Sequence, residues 1–267
     1  MAAEIRNILI DKIEQVNNEN FDAIAFEVFD YQYQHNKVYR AWVDAIGCSA
    51  KSMRSASDIP YLPISAFKNN KVVSTDSEVD VVFESSGTTG SIPSKHYVRE
   101  LSYYLHNTVE IFESYYGNIS KNCFLALLPN YLERQGSSLV AMVDHFMKLS
   151  NHANSGFYLY DHDKLYEQLL QNKIDSVPTI LFGVSFALLD FLENYKLNFP
   201  ELIVIETGGM KGRKREMTKR RLQELLAAGF GVPQVHSEYG MTELLSQAYS
   251  QEDGLFMASC KMRAIAK

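Results

Sequence analysis

The sequence predicts an α/β protein: mostly parallel sheet flanked by helices, with a helical segment in front. Three observations predict it. Apolar runs such as CFLALL (123–128) and LIVIE (202–206) are near-continuous, as in strands covered on both faces. Stretches with helical apolar spacing separate such runs, so strand and helix alternate from about residue 71 onward. Before Gly47 the apolar residues recur at helical spacing, and behind them Pro60 and Pro63 interrupt regular structure.

In chain order, Ile5, Ile8, Leu9, Lys12, Ile13 and Val16 form the stripe of a first helix. A second apolar set runs from Phe21 to Phe29, and a third helix holds Val38, Trp42 and Ile46 and stops at Gly47. The stretch SASDIPYLPISAFKNNKVVS is an extended connector, because two prolines forbid regular helix. Residues 1–70 therefore form a helical segment and connector, and residues 71–267 an α/β body. Strands are expected at 71–74, 79–84, 123–128, 155–160, 179–182, 202–206 and 234–237. Helices are expected near 98–116, 137–149, 162–172, 184–195 and 214–228. In such folds ligands sit beyond the carboxyl ends of the strands, in the loops that follow.

Composition narrows the function classes. The 267 residues are 46% hydrophobic and 12% aromatic, enough for a substantial core. A net charge of −6 gives no general basic field for nucleic acid. No apolar run approaches the ~18 residues of a membrane span. The amphipathic N-terminus MAAEIRNILIDKIEQ is charged throughout and is not a signal peptide. Three distant cysteines, Cys48, Cys123 and Cys260, make no CxxC pair and point to a reducing cytoplasm. No His/Asp/Glu set has metal-ligand spacing, and no GxSxG elbow of a hydrolase occurs.

Three strand-to-loop junctions carry candidate chemistry. After the first apolar run come Ser85, Ser86, Gly87, Thr88, Thr89 and Gly90, with Lys95 behind them. Glycines let the backbone expose its N–H groups, and hydroxyls and a cation suit phosphate oxygens. It is no Walker loop, since GK[ST] is missing, and composition alone also allows a Ser/Gly-rich turn. The second junction is VIETGGMKGRKRE, where Gly208 and Gly209 permit close approach of a flat ligand to the main chain. Lys211, Arg213 and Arg215 lie near that loop, whereas Lys219, Arg220 and Arg221 are read as a solvated helix start. The third is HSEYGMTE, where Tyr239 and Gly240 turn the chain and Thr242 and Glu243 follow. A Tyr ring can stack on a base, a Thr hydroxyl can bond a phosphate, and a Glu can ligate Mg2+. In PNYLERQGSSL, Ser137 and Ser138 read as a helix cap, while Arg134 and Gln135 are candidates for an acyl or phosphate site. His236 reads as packed rather than functional.

Taken together, SSGTTGSIPSK (85–95) and YGMTE (239–243), in this order and each after a strand, resemble the adenylate-forming superfamily of acyl- and aryl-CoA ligases and adenylation domains. DIPYLPISAFKNNKV (58–72), FESSGTTG, LPNYLERQGSSLVAM (128–142) and ETGGMKGRKREM (206–217) are similar to its LuxE-type acyl-protein synthetase branch. The resemblance implies ATP-dependent activation of a fatty or aromatic carboxylic acid to an acyl-adenylate, with transfer to a thiol of a protein, carrier or CoA. It implies that Ser85–Gly90 and Lys95 hold the β,γ-phosphates and that Gly208 and Gly209 line the adenylate pocket. It further implies that Tyr239 stacks on adenine, Thr242 contacts the α-phosphate and Glu243 ligates Mg2+. The two loops are expected to face each other across one cleft.

Members of that superfamily continue past YGMTE with a ribose-binding Asp, a hinge and a small domain carrying a catalytic Lys. The 24 residues after Glu243 leave no room for these, so that C-terminal domain is expected to be absent from this chain. Cys260, the cysteine downstream of the motif, reads as a buried core residue. Two alternatives stay open: a catalytically incomplete nucleotide- or acyl-binding module, and a Cys-dependent acyltransferase using Cys123 or Cys260. The expected location is the cytoplasm, with no nucleic-acid partner and no membrane span.

Overall fold

The computed structural model describes residues 2–49, 53–75, 78–85, 92–129, 136–210, 217–252 and 254–266. The chain divides into two compact units, 1–101 with 258–267, and 102–257.

The first unit begins with helices α1 (Ala2–Glu14), α2 (Phe21–His35) and α3 (Lys37–Ala45). Asn36 separates the last two, and its side chain accepts from the Tyr39 N–H, capping α3. Phe29, Tyr39, Val43, Met53, Ala56 and Ile59 form the core of this unit. Burying Tyr39 requires a partner for its hydroxyl, which donates to the Pro60 carbonyl at 2.8 Å. The connector is extended apart from a 3-10 turn at Ala56–Asp58 and the one-turn helix α4 (Ala66–Asn69), and 71–74 is not a strand. The C-terminal residues return to the helices: Arg263 pairs with Asp22 at 2.8 Å and lies 4.0 Å from the centre of the Phe21 ring.

Strands β1 (Val81–Glu84) and β2 (Lys95–Val98) also belong to this unit and pair antiparallel. The first junction is therefore the connection of a two-stranded hairpin, not the carboxyl edge of the parallel sheet. Sequence reading missed β2 because KHYV is too short and mixed for a clear alternation.

The second unit carries the remaining strands: β3 (Cys123–Leu127), β4 (Gly156–Phe157), β5 (Thr179–Val184), β6 (Ile203–Thr207), β7 (His236–Tyr239), β8 (Ala248–Ser250) and β9 (Met257–Ala258). Their order in the sheet is β4-β3-β5-β6-β7-β8-β9. Pairing is parallel from β4 to β7 and antiparallel between β7 and β8. The mostly parallel sheet flanked by helices is the architecture expected from the sequence. β3 and β5 are buried at every position, which is why they read as unbroken apolar runs.

Helices α5 (Leu101–Tyr116) and α6 (Ser138–Ser150) cover one face. There Phe112 and Phe146 meet at 4.8 Å between ring centres, and Phe112 meets Phe124 at 5.6 Å. Ser137 accepts from the Val140 N–H and caps α6, as expected. Helix α7 (His162–Ile174) leads into β5, and α8 (Ser185–Asn194) and α9 (Lys219–Phe230) cover the other face. A Cβ at Gly183, pointing to that face, would lie 2.5 Å from Leu188 Cγ of α8, so the close approach requires glycine. Among the described residues no helix is long and apolar enough to cross a membrane.

Candidate functional site

The carboxyl ends of β5, β6 and β7 lie side by side. Register pairs Glu206 with Gly183 and with Ser237, which turns its side chain toward α8 and α9. Glu206 is 0% exposed. Such a carboxylate needs partners, since an unpaired buried charge costs several kcal/mol, about 3–5 when one partner is removed. The two flanking helices supply them from their first residues. Ser185 Oγ donates to Glu206 Oε2 at 2.8 Å, and Lys219 Nζ pairs with Oε1. The expectation of a solvated helix start holds for Arg220 and Arg221, which pair with Glu224 on the surface, but not for Lys219. What decides is the buried acid one strand away.

Lys219 Nζ also sits 5.8 Å from the centre of the Phe256 ring, and Phe256 meets Tyr239 edge-on at 5.9 Å. Tyr239 is the last residue of β7, two residues beyond the expected end, and remains 44% exposed. Its hydroxyl donates to Met241 Sδ at 3.0 Å. Glu206, Lys219, Phe256 and Tyr239 thus form one chain of contacts ending in an available ring face.

Gly208 and Gly209 continue β6 beside Tyr239. Gly208 adopts φ +70°, a conformation that favours glycine, and a Cβ at Gly209 would meet nothing within 4 Å, so the main chain there is open. At Gly240 a Cβ would collide with Glu238 Oε1. Thr242 and Glu243 lie half-buried in the loop between β7 and β8, and the Leu244 N–H donates to the Met241 carbonyl at 3.0 Å. Among the described residues Glu243 has neither hydrogen bond nor ion pair.

On the other face of β7, Glu238 is 7% exposed and accepts from Thr207 Oγ1 at 2.5 Å. Burial pushes its carboxyl up to about 7, and Glu206 adds to the rise against the Thr207 hydroxyl and Lys219. The folded protein therefore keeps a proton that the unfolded chain, with its ordinary value of 4.5, releases. The contribution of this group is greatest below pH 4.5 and is lost as pH rises through about 7. Wild type should lose about 3 kcal/mol relative to Glu238→Gln between about pH 5 and pH 8. Urea unfolding across that range checks this; parallel profiles for the two proteins would contradict it.

His236 is packed, as expected: its Nδ1 lies 3.1 Å from the Tyr116 hydroxyl, and burial lowers its pKa. Cys123 is buried, with its thiol pushed up by that burial, unsuited to a nucleophile. Cys260 is exposed, which corrects the expectation of a core residue: the segment around it is strand only at Met257–Ala258.

In the first unit, Ser85 closes the base of the hydroxyl-rich connection. Its N–H donates to the Ser94 carbonyl at 3.0 Å, and its Oγ accepts from the Ser94 N–H at 2.8 Å. Lys95 faces Glu84 across the hairpin at 3.1 Å, and that contact raises its pKa. Ser86, Gly87, Thr88, Thr89 and Gly90 lie outside the described residues, as do Lys211, Arg213, Arg215, Arg134 and Gln135.

Sequence reading passed over Glu206, Glu238, Ser185 and Phe256. The signal for Glu206 was present, since a carboxylate near the end of an otherwise apolar buried strand demands a partner; Glu238 lies in the polar strand HSEY and carried no such mark. Nothing in the sequence marked Ser185 or Phe256, whose roles depend on which strands are neighbours.

A mostly parallel sheet with helices on both faces and a glycine-bounded loop at its carboxyl edge defines a layered α/β fold. Comparison with solved structures bears this out. 2-Hydroxyisobutyryl-CoA ligase, in complex with 2-HIB-AMP and CoA in the thioesterification state, aligns with a TM-score of 0.58 at 16% identity, over 97% of this chain and 54% of that one. An open conformation of the same ligase, also with 2-HIB-AMP and CoA, aligns with a TM-score of 0.55 at 12% identity, over 84% of this chain and 50% of that one. The chain thus spans about half the length of the solved structures it matches. No family model and no curated protein sequence matches it.

Proposed function

We propose that this chain carries the nucleotide- and acid-binding part of an ATP-dependent carboxylate-activating enzyme, of the LuxE-type acyl-protein synthetase kind. The observation that carries the reading is the placement of Tyr239–Glu243 at the end of β7, beside the open main chain of Gly208 and Gly209. It stands in a chain with the fold of a ligase solved with an acyl-adenylate and CoA.

In this reading an acid carboxylate attacks the α-phosphorus of ATP, forming the acyl-adenylate and releasing pyrophosphate; a thiol then displaces AMP to form a thioester. The first step brings anions together, so donors and cations must offset the charge. Ser85 to Gly90 and Lys95 serve the β,γ-phosphates, and Thr242 the α-phosphate. Tyr239 offers its exposed ring to adenine, held in orientation by Phe256 and Lys219. Glu243 fits Mg2+, being a hard oxygen ligand without a competing partner among the described residues. The bound ion supplies charge neutralisation at the phosphates. The acceptor is a thiol of a protein, carrier or CoA, and the setting is the cytoplasm.

The test is exchange of labelled pyrophosphate into ATP, with Mg2+ and a panel of carboxylic acids. Acid-dependent exchange is expected. ATP binding by calorimetry without exchange would instead indicate a binding module; the absence of both exchange and binding would overturn the proposal.

A further inference from the structure

Helix α3 and the connector of the first unit border an open groove of about 620 Å³. That volume lies within the range of small-molecule sites. From α3 come Val38, Ala41, Trp42 and Ala45, which recur three or four residues apart and so share one face of the helix. From the connector and α4 come Leu62, Pro63 and Ala66. Ala41, Ala45 and Pro63 are exposed, while Trp42 and Leu62 are half-buried. The alanines leave the space, and the indole and Leu62 give it apolar walls.

The polar lining is one-sided in charge. Lys37, Ser65, Asn69 and Asn70 border the groove, and among the described residues none of its lining side chains is acidic. Lys37 is the first residue of α3, so its ammonium and the positive end of the helix dipole belong to the same end of the groove. From Lys37 to Ala45 the helix runs about 12 Å at 1.5 Å per residue, the reach of an extended alkyl chain of about ten carbons. A cation at one end and apolar walls along the rest complement an anionic amphiphile. A single lysine matches the one charge of a carboxylate.

We propose that this groove binds a carboxylic acid with an unbranched apolar body of about ten carbons, its carboxylate at Lys37 and its body against Trp42. The site is built from the helical segment and connector alone, not from the strand ends that carry Gly208 and Tyr239. Its ligand class is read from the groove itself and does not depend on the activity proposed above. Where that activity holds, the chain has a second place for its acid.

Trp42 is the single tryptophan of the chain, so its fluorescence reports on this groove. A bromine quenches an indole on contact, and ω-bromodecanoate is expected to quench Trp42 emission saturably. Displacement by decanoate, decanol and decylamine then ranks the head groups. Decanoate should compete about 5-fold or more better than decanol, with decylamine weakest. Lys37→Met keeps the apolar stem and should bring decanoate and decanol to within about 2-fold of each other. Ala41→Leu with Ala45→Leu fills the groove from exposed helix positions that suit leucine, so quenching should be lost while the melting temperature moves by less than about 2 °C. Should the leucine pair melt early, Ala41→Leu alone repeats the measurement. Absence of quenching in the wild-type protein, quenching that survives the leucine variants, or equal competition by decanol overturns the inference. Pyrophosphate exchange plays no part in this readout: quenching without exchange upholds the groove and overturns the activity, and exchange without quenching does the reverse.

Discussion

Glu243→Gln is expected to lower acid-dependent pyrophosphate exchange about 100-fold or more while shifting the melting temperature by less than about 2 °C. The substitution keeps the size of the side chain and removes its charge. Glu243 is half-buried in the β7–β8 loop and makes no hydrogen bond or ion pair among the described residues, so little stability rests on it. The loss should fall on the step in which Mg2+ offsets phosphate charge, and the apparent Mg2+ affinity should fall with it. Exchange kinetics across a Mg2+ series, with thermal unfolding in parallel, separate the outcomes. A fall of several degrees without a change in Mg2+ dependence would make Glu243 a structural residue.

The second large effect belongs to Lys219. Lys219→Met is expected to destabilise the protein by about 2 kcal/mol, or about 5 °C in melting temperature. Glu206 would keep Ser185 and lose its only described cation, leaving a carboxylate in the interior with half its coordination. The effect is smaller than for a fully enclosed pair because Lys219 is half-exposed and water reaches it. Pairing it with Glu206→Gln should recover most of the loss, since a neutral amide no longer needs the cation. A melting temperature unchanged in the single variant would show the contact to be a solvent-screened surface pair. Lys219 also borders Phe256 and, through it, Tyr239, so KM for ATP should rise more than kcat falls.

The parts of the fold legible from residues alone were those whose local and tertiary demands agree. CFLAL and TILFGV are covered on both faces, and their unbroken apolar runs suit central strands of a parallel sheet. Ser137 ahead of an apolar-periodic stretch is a helix cap in sequence and in space. Where the two demands part, the reading slipped. Lys71–Ser74 has strand composition but no partner strand, and KHYV becomes a strand only because Glu84 and its neighbours lie opposite. Cys260 looked like core because its flanks are apolar, yet Leu255, Phe256 and Met257 are themselves exposed.

The sequence by itself determined the α/β class, the alternation of strands and helices, and the junctions where chemistry is to be sought, because periodicity, glycine and proline act over a few residues. The tertiary structure alone decided that Lys219 serves Glu206, that Phe256 meets Tyr239, and that Asn107 donates to the Leu245 carbonyl. Those relations join residues as much as 138 positions apart through strand order and register. Strand order and register are set by burial of the whole sheet, and no local stretch of chain encodes them.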